Sequence, residues 1–244
     1  MKILGWWSGG ITSAVACKLA LNSYEDVTLV YIETGSHHND TMRFKRDCEK
    51  WYGKKIITLQ SKKFDSVNDV ILSTKFINSD KGARCTTELK REVRKKFDRE
   101  NHFDGSIWGF EYTLEEIQRA EKTKKDVSVK NPIFPLIQAQ LNKKECAGLL
   151  VKNGIDIPMM YKLGYNNNNC VGCVKGGMGY WNKIRIDFPE EFNKMALAER
   201  EINHSCLHNK KEGMIFLDTL DPKRGDESDL IIPECGFFCQ NINL

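Results

Sequence analysis

Short apolar runs rich in β-branched residues alternate with stretches of helical periodicity through the first half of the chain. Strands are predicted at residues 3–7, 27–32, 55–59 and 106–110, and helices at residues 12–21, 41–52, 86–100 and 114–124. Such alternation favours an α/β fold with a doubly wound parallel sheet, which binds ligands at the carboxyl ends of its strands.

The pattern becomes less regular after Pro132. Extended chain is predicted at residues 131–136, helices at 143–152 and 190–202, a long loop at 154–169 and a mostly irregular tail from residue 209. We therefore expect a nucleotide-binding α/β domain over residues 1–140. A helical and irregular C-terminal part, which carries cysteines, is expected over residues 141–244.

The turn between the first strand and the first helix has the composition of a phosphate-binding loop. Glycines let backbone N–H groups approach a ligand, hydroxyls add donors, and the helix N-terminus favours anions. A plain strand–helix turn is the alternative. The predicted ligand-binding residues of this turn are Ser8, Gly9, Gly10, Ile11, Thr12 and Ser13.

Two further strand ends are expected to face the same crevice. Glu33, Thr34 and Gly35 follow the second strand, and Gly109 lies at the end of the fourth. Glu33 is a candidate for binding Mg²⁺ or adenosine, and an ordinary surface carboxylate is the alternative.

Composition describes an ordinary globular protein of 244 residues with 41% hydrophobic residues, 29% charged residues and a net charge of +4. The apolar runs are too short to span a bilayer, and the N-terminus enters a strand without a secretion signal, so a cytoplasmic location and no membrane partner are expected. The mild positive charge fits an anionic substrate but does not demand nucleic acid. Nine cysteines in such a chain indicate metal binding or thiol chemistry.

Four of these cysteines form two closely spaced pairs. Cys170 and Cys173 flank a glycine turn, and Cys235 and Cys239 lie near the end of the chain. Together they predict a four-thiolate site, for which the spacing fits zinc or an iron–sulfur cluster equally well. Four unrelated buried thiols are the alternative.

The ordered motifs over roughly residues 1–175 resemble the PP-loop superfamily of adenine-nucleotide α-hydrolases, and within it the phosphoadenylyl-sulfate (PAPS) reductase-like branch. The loop at residues 8–13 is similar to the Ser-Gly-Gly-x-Asp/Thr-Ser loop of that superfamily, and residues 31–35 are similar to the Phe-Ile-Asp-Thr-Gly segment of the branch. The matching motifs continue at residues 85–90, 109–120, 131–132, 157–165 and 170–173. The chain departs from the pattern with Arg84, Glu111 and Asn169, where the branch has Cys, Arg and Gly.

The resemblance implies an adenine nucleotide, ATP or PAPS with Mg²⁺, as ligand. It also implies that Lys90 and Arg119 contact phosphate or sulfate oxygens and that Cys85 takes part in the chemistry. A solvated helix face is the favoured interpretation for residues 94–96. Because Arg84 replaces one cysteine, the usual cluster of the branch is incomplete here.

Three functions follow as hypotheses. The first is an ATP pyrophosphatase-type enzyme that adenylylates an acceptor for sulfur transfer, with a sulfur donor such as a cysteine desulfurase and, on weak grounds, a nucleic acid acceptor. The second is a PAPS or adenylyl-sulfate reductase that works with thioredoxin, since the segment Glu234-Cys235-Gly236 is similar to the reductase tail. The third is a non-catalytic nucleotide-binding module.

Overall fold

A five-stranded, all-parallel sheet forms the centre of the protein, in a computed structural model that describes residues 1–79 and 82–225. In chain order the strands are β1 (Lys2–Trp6), β2 (Asp26–Glu33), β3 (Ile56–Gln60), β4 (Asn78–Ser79), β5 (Gly82–Ala83), β6 (Gly105–Ile107), β7 (Pro132–Ile133), β8 (Leu207–Asn209) and β9 (Gly213–Ile215). The central sheet has the order β3-β2-β1-β6-β7, and β4-β5 and β8-β9 are small antiparallel pairs.

Helices cover both faces of this sheet, which confirms the predicted doubly wound α/β fold. They are α1 (Ile11–Ser23), α2 (Asp40–Tyr52), α3 (Val67–Thr74), α4 (Glu92–Glu100), α5 (Leu114–Lys124), α6 (Pro135–Gln138), α7 (Lys143–Lys152), α8 (Met159–Lys162), α9 (Met178–Asp187) and α10 (Pro189–Ile202), with a π-helical turn at Thr86–Arg91 before α4 and a 3₁₀ turn at Leu217–Thr219.

Alternate residues of each strand pack on opposite faces of the sheet, as the pleat requires. Ile3 of β1 belongs to the core shared with α1, α2 and α7, whereas Leu4 packs with Val30 and Phe103 on the other face. The order of the strands reverses at β1, which pairs with β2 on one side and with β6 on the other. A doubly wound sheet opens its ligand crevice at this reversal.

A second apolar core, around Trp181 and Leu217, joins α3 to α9 and α10. The helix α7 packs instead against α1, in the core of the sheet. The division of the chain at residue 140 stays a prediction.

Several elements differ from the sequence expectations. The predictions missed α3, which begins where the Ser66 hydroxyl accepts a hydrogen bond from the Asp69 N–H, and they missed α9. The fourth predicted strand is β6, which is shorter than expected and ends at Ile107. The residues that follow it, 108–110, line a cleft instead of continuing the strand. The long loop contains α8, and the tail contains the β8–β9 pair. No helix in residues 1–79 and 82–225 has the length and apolar character needed to cross a membrane.

Candidate functional site

The turn that follows β1 is held in a compact shape by its own hydroxyl groups. The Ser13 Oγ accepts a hydrogen bond from the Ser8 N–H at 3.1 Å and donates to the Gly10 carbonyl at 2.9 Å. Gly9 has a φ of +84°, in the left-handed region that favours glycine. The geometry of the turn therefore favours glycine at position 9.

The N-terminus of α1, directly after this turn, is open to an anion. The helix has no side-chain cap and no acidic residue in its first turn, so its partial positive charge is not neutralised locally. The loop after β6 lies against it: a Cβ atom on Gly109 would come within 2.8 Å of the Ser13 backbone nitrogen. Only glycine allows this approach.

A cleft of about 1260 Å³ opens at the carboxyl ends of β1 and β6. It brings together ten of the predicted site residues from six separate parts of the chain. These are Ser8, Thr12, Ser13, Thr34, Cys85, Lys90, Gly109, Arg119, Cys170 and Cys173.

The other predicted loop residues are not part of the cleft lining: Gly9 and Ile11 are buried, Gly10 is partly exposed and Gly35 is exposed. Ile11 is fully buried, and its N–H donates to the Tyr161 hydroxyl at 3.4 Å. The Gly9 carbonyl accepts a hydrogen bond from the Asn168 side chain. Gly35 adopts a φ of +66°, and a Cβ atom on it would overlap the carbonyl of Asp65. These positions shape the site rather than line it.

Glu33 also lies outside the cleft lining, and internal hydrogen bonds occupy both of its carboxylate oxygens. It accepts from the Tyr31 hydroxyl at 2.9 Å and from the N–H groups of Thr34 and Gly35 at 2.7 and 2.8 Å, and its Oε1 lies 3.2 Å from the His37 Nδ1. Burial alone would raise the pKa of Glu33, but these hydrogen bonds and the nearby His37 ring outweigh it and lower the pKa to about 2. The carboxylate therefore orders the turn after β2, and its binding of Mg²⁺ or adenosine stays a prediction.

Three thiols, of Cys85, Cys170 and Cys173, line the cleft. The Thr34 Oγ1 lies 3.1 Å from the Cys170 Sγ, at hydrogen-bond distance. Burial, with a contribution from the other two thiols, raises the pKa of Cys85 to about 11, and the positive charge of Lys90 acts in the opposite direction. Burial raises the pKa of Cys170 as well, against Lys90 and Thr34.

Two of the four cysteines of the predicted metal site, Cys170 and Cys173, belong to the residues that the structure describes. Cys235 and Cys239, like the segment Glu234-Cys235-Gly236, lie outside the described residues. Within residues 1–79 and 82–225, no group of three His, Cys, Asp or Glu side chains is arranged to hold a metal ion. The Zn²⁺ or iron–sulfur site stays a prediction, and no reaction step below depends on it.

The cleft is rich in cations. Lys90 has no carboxylate within ion-pair distance among the residues that the structure describes, so its charge is available to a ligand. Arg119 pairs with Glu116 at 3.1 Å, is 62% exposed, and stacks 4.4 Å from the ring centre of Phe110. An exposed pair of this kind is weak, so the guanidinium can turn to an anion.

The sequence analysis missed several residues of the cleft. Arg94 was expected on a solvated face, but it lines the cleft and lies over the Trp108 ring; Lys95 and Lys96 do pair with glutamates on the surface. The cleft also includes Trp6, Arg91 and Lys175. Trp6 ends β1, Arg91 ends the π-helical turn and Lys175 follows the cysteine turn, so these residues meet only through the packing of distant segments.

A smaller pocket of about 170 Å³ adjoins the cleft on the α4 side of β1. Trp6, Trp7, Ile32 and His37 contribute to its walls, and it shares Ser8 with the cleft. The side chain of His37 is only 4% exposed. A mostly apolar pocket beside a phosphate loop fits a planar, heterocyclic ring.

The fold and the cleft define a doubly wound α/β domain with an anion-binding turn at its switch point. Residues 2–176 match the family model of the phosphoadenosine phosphosulfate reductase domain, and the chain belongs to that family, within the PP-loop superfamily.

Similar proteins include two from Methanocaldococcus jannaschii, both described as uncharacterized. MJ0066 is 28% identical over 86% of this chain, and MJ0973 is 26% identical over 77%. The chain spans less than half the length of these relatives, 43% and 45%. Among solved structures, a PAPS reductase from Candida auris, in a phosphate complex, superposes with a TM-score of 0.52 at 16% identity, covering 70% of this chain and 81% of that one. That similarity concerns the fold.

Proposed function

We propose that this protein is an ATP pyrophosphatase-type enzyme of sulfur chemistry, which adenylylates an acceptor and releases pyrophosphate. The observation that carries the proposal is the meeting of three features in one cleft: the turn at residues 8–13, the cation of Lys90, and the thiols of Cys85, Cys170 and Cys173. Membership of the family supports a nucleotide substrate and sulfur-related chemistry.

In this proposal the adenine ring occupies the smaller pocket beside Trp6. The β- and γ-phosphates contact the turn and the N-terminus of α1, with Lys90 and Arg119 neutralising further charge. Mg²⁺ enters with the triphosphate. The carboxylates that line the cleft are those of Glu111, Glu115 and Glu116.

The reaction has three displacements. An acceptor oxygen attacks the α-phosphorus, the bond from that phosphorus to the bridging oxygen breaks, and pyrophosphate leaves with its charge stabilised by the turn. The terminal sulfur of a persulfide on Cys85, transferred from a donor such as a cysteine desulfurase, then attacks the activated acceptor and displaces AMP. A neighbouring thiol, Cys170 or Cys173, attacks Cys85 in the resulting S–S bond, which releases the thiolated acceptor and leaves a protein disulfide that an external thiol reductant reduces. A nucleic acid is one acceptor class that the basic wall would admit.

The test follows AMP and pyrophosphate from labelled ATP in the presence of sulfide and pooled acceptors, RNA included. Lys90→Ala is expected to lower turnover and ATP affinity at least about tenfold, because it removes a charge from the phosphate site. Lys95→Ala is the matched control, since Lys95 pairs with Glu92 on the surface of α4. Equal behaviour of the two variants would contradict the proposed phosphate site.

A second candidate function is reduction of PAPS or adenylyl sulfate. The family supports it, and Arg91 and Arg94 are further cations of the cleft for the 3′-phosphate of PAPS, a group that ATP lacks. A cysteine thiolate would attack the sulfur, AMP-type nucleotide would leave, and thioredoxin would later resolve the enzyme-bound thiosulfonate with release of sulfite.

Sulfite release separates these functions. Turnover of PAPS with reduced thioredoxin, without any conversion of ATP, would overturn the pyrophosphatase proposal. Tight nucleotide binding without conversion of either compound would indicate a non-catalytic nucleotide-binding module.

A further inference from the structure

Asn168 differs from the asparagines around it. It belongs to a run of four at residues 166–169, in which the other three side chains are exposed. Asn168 itself is only 4% exposed. Its Nδ2 donates to the Gly9 carbonyl at 2.8 Å and to the Thr41 Oγ1 at 3.1 Å. Since a buried amide needs partners for its donors, this side chain is committed to the turn after β1.

The hydrogen bond to Gly9 fixes the orientation of a peptide group in the middle of that turn. A trans peptide directs its C=O and its N–H to opposite sides, so the bond from Asn168 turns the Gly10 N–H away from Asn168. Glycines at both positions would otherwise allow several orientations. Asn168 thus selects one conformation of the two-glycine segment.

A second hydrogen bond holds Ile11, the residue that follows the two glycines. The Tyr161 hydroxyl accepts a hydrogen bond from the Ile11 N–H at 3.4 Å. Asn168 lies two residues before Cys170, whose Sγ contacts Thr34. The phosphate-binding turn and the cysteine turn are therefore built on one hydrogen-bonded unit.

We propose that Asn168 is a positioning residue for the polyphosphate of the nucleotide: its side-chain amide holds the Gly9–Gly10 peptide in the conformation that binds the β- and γ-phosphates. This inference rests on the proposed binding of ATP at that turn. It assigns a role to a residue that does not line the cleft and that touches no ligand.

The test is calorimetric titration of the full-length protein with Mg²⁺-ATP and, separately, with AMP, which lacks the β- and γ-phosphates. Asn168→Ala is expected to weaken ATP binding about tenfold, because the hydrogen bond that orders the Gly9–Gly10 peptide is lost. The same change should alter AMP binding less than about twofold. Asn168→Leu keeps a similar side-chain volume and removes the donor without adding a charge, so it should show the same selective loss even where Asn168→Ala folds poorly.

Two controls separate positioning from packing. Asn166→Ala makes the same change at an exposed neighbour, and Thr41→Val removes the other acceptor of Asn168 while leaving the bond to Gly9. Both are expected to bind ATP as the wild type does. Equal weakening of ATP and AMP in the Asn168 variants, unchanged ATP binding, or an equal loss in Thr41→Val would overturn the inference. Failure of the wild type to bind ATP would overturn the proposed function and this inference together, whereas ATP binding that is insensitive to Asn168 overturns the inference alone.

Discussion

Replacing Glu33 by glutamine removes a negative charge from the end of β2 while nearly preserving the shape of the side chain. The carboxylate accepts hydrogen bonds from the N–H groups of Thr34 and Gly35 on one oxygen and from the Tyr31 hydroxyl on the other. A glutamine side chain has one acceptor oxygen, so one side of this network would face an N–H₂ group. The turn that carries Thr34 to Cys170 would lose its anchor.

The magnitude follows from the pKa of Glu33, which is lowered from 4.5 to about 2. At about 1.36 kcal/mol per pKa unit, this lowering corresponds to at most about 3 kcal/mol at neutral pH. The side chain is 20% exposed, and solvent screening reduces the expected loss in Glu33→Gln to about 2 kcal/mol. Because the folded-state pKa lies below the unfolded value, the contribution is complete above about pH 5 and is lost as the pH falls toward about 2.

The assay is urea unfolding, followed by tryptophan fluorescence at pH 7, pH 5 and pH 3.5. The free energy of unfolding of Glu33→Gln should lie below that of the wild type at pH 7, and the gap should narrow at the lowest pH. Glu25→Gln, an exposed carboxylate just before β2, should match the wild type throughout. A Glu33→Gln protein as stable as the wild type at pH 7, or a gap that does not change with pH, would refute the reasoning.

Three further predictions concern two residues that line the cleft, Gly109 and Thr34, and the buried carboxylate of Glu199. Gly109→Ala should lower stability by more than about 2 kcal/mol and abolish ATP binding, because its Cβ meets the backbone of α1 at 2.8 Å. Gly177→Ala, with open space at the N-cap of α9, should lose less than about 1 kcal/mol and bind ATP as the wild type does in the same thermal and calorimetric measurements; similar losses in both would contradict the account. Glu199→Ala should cost about 3 kcal/mol in urea unfolding, because this fully buried carboxylate accepts two backbone N–H bonds at 2.7 Å; a loss below about 1 kcal/mol would show that those groups find other partners. Thr34→Val should slow alkylation of Cys170 at pH 8 about threefold, as followed by mass spectrometry, because it removes a hydrogen bond that favours the thiolate; an unchanged rate would show that the hydroxyl does not act on the thiol.

The part of the site nearest to β1 could be predicted from the sequence because it is local. The strand, the Ser-Gly-Gly turn and the helix that follows are adjacent in the chain, and hydrogen bonds within the turn join residues only a few positions apart, such as Ser8 and Ser13. The parallel sheet could be predicted from the alternation of strands and helices, because the strands of a sheet covered by helices on both faces are apolar along their length.

The remainder depends on contacts between distant segments. Asn168 meets Gly9 across 159 positions, and nothing in a run of four asparagines distinguishes the one that becomes buried. In the sequence, Arg94 cannot be distinguished from the other basic residues of its helix. The packing of α4 beside Trp6 and Trp108 brings its side chain to the cleft. Glu33 was expected at the site, but the hydrogen bonds within its own turn direct it elsewhere.

The most direct test of the account is site-resolved alkylation of Cys85, Cys170 and Cys173 across a titration with Mg²⁺-ATP. If the nucleotide binds in the cleft that these thiols line, ATP should slow their modification with one common half-saturation concentration, while AMP requires far more ligand for the same effect. Modification rates that stay constant up to millimolar ATP would contradict the claim that nucleotide and thiols share one site.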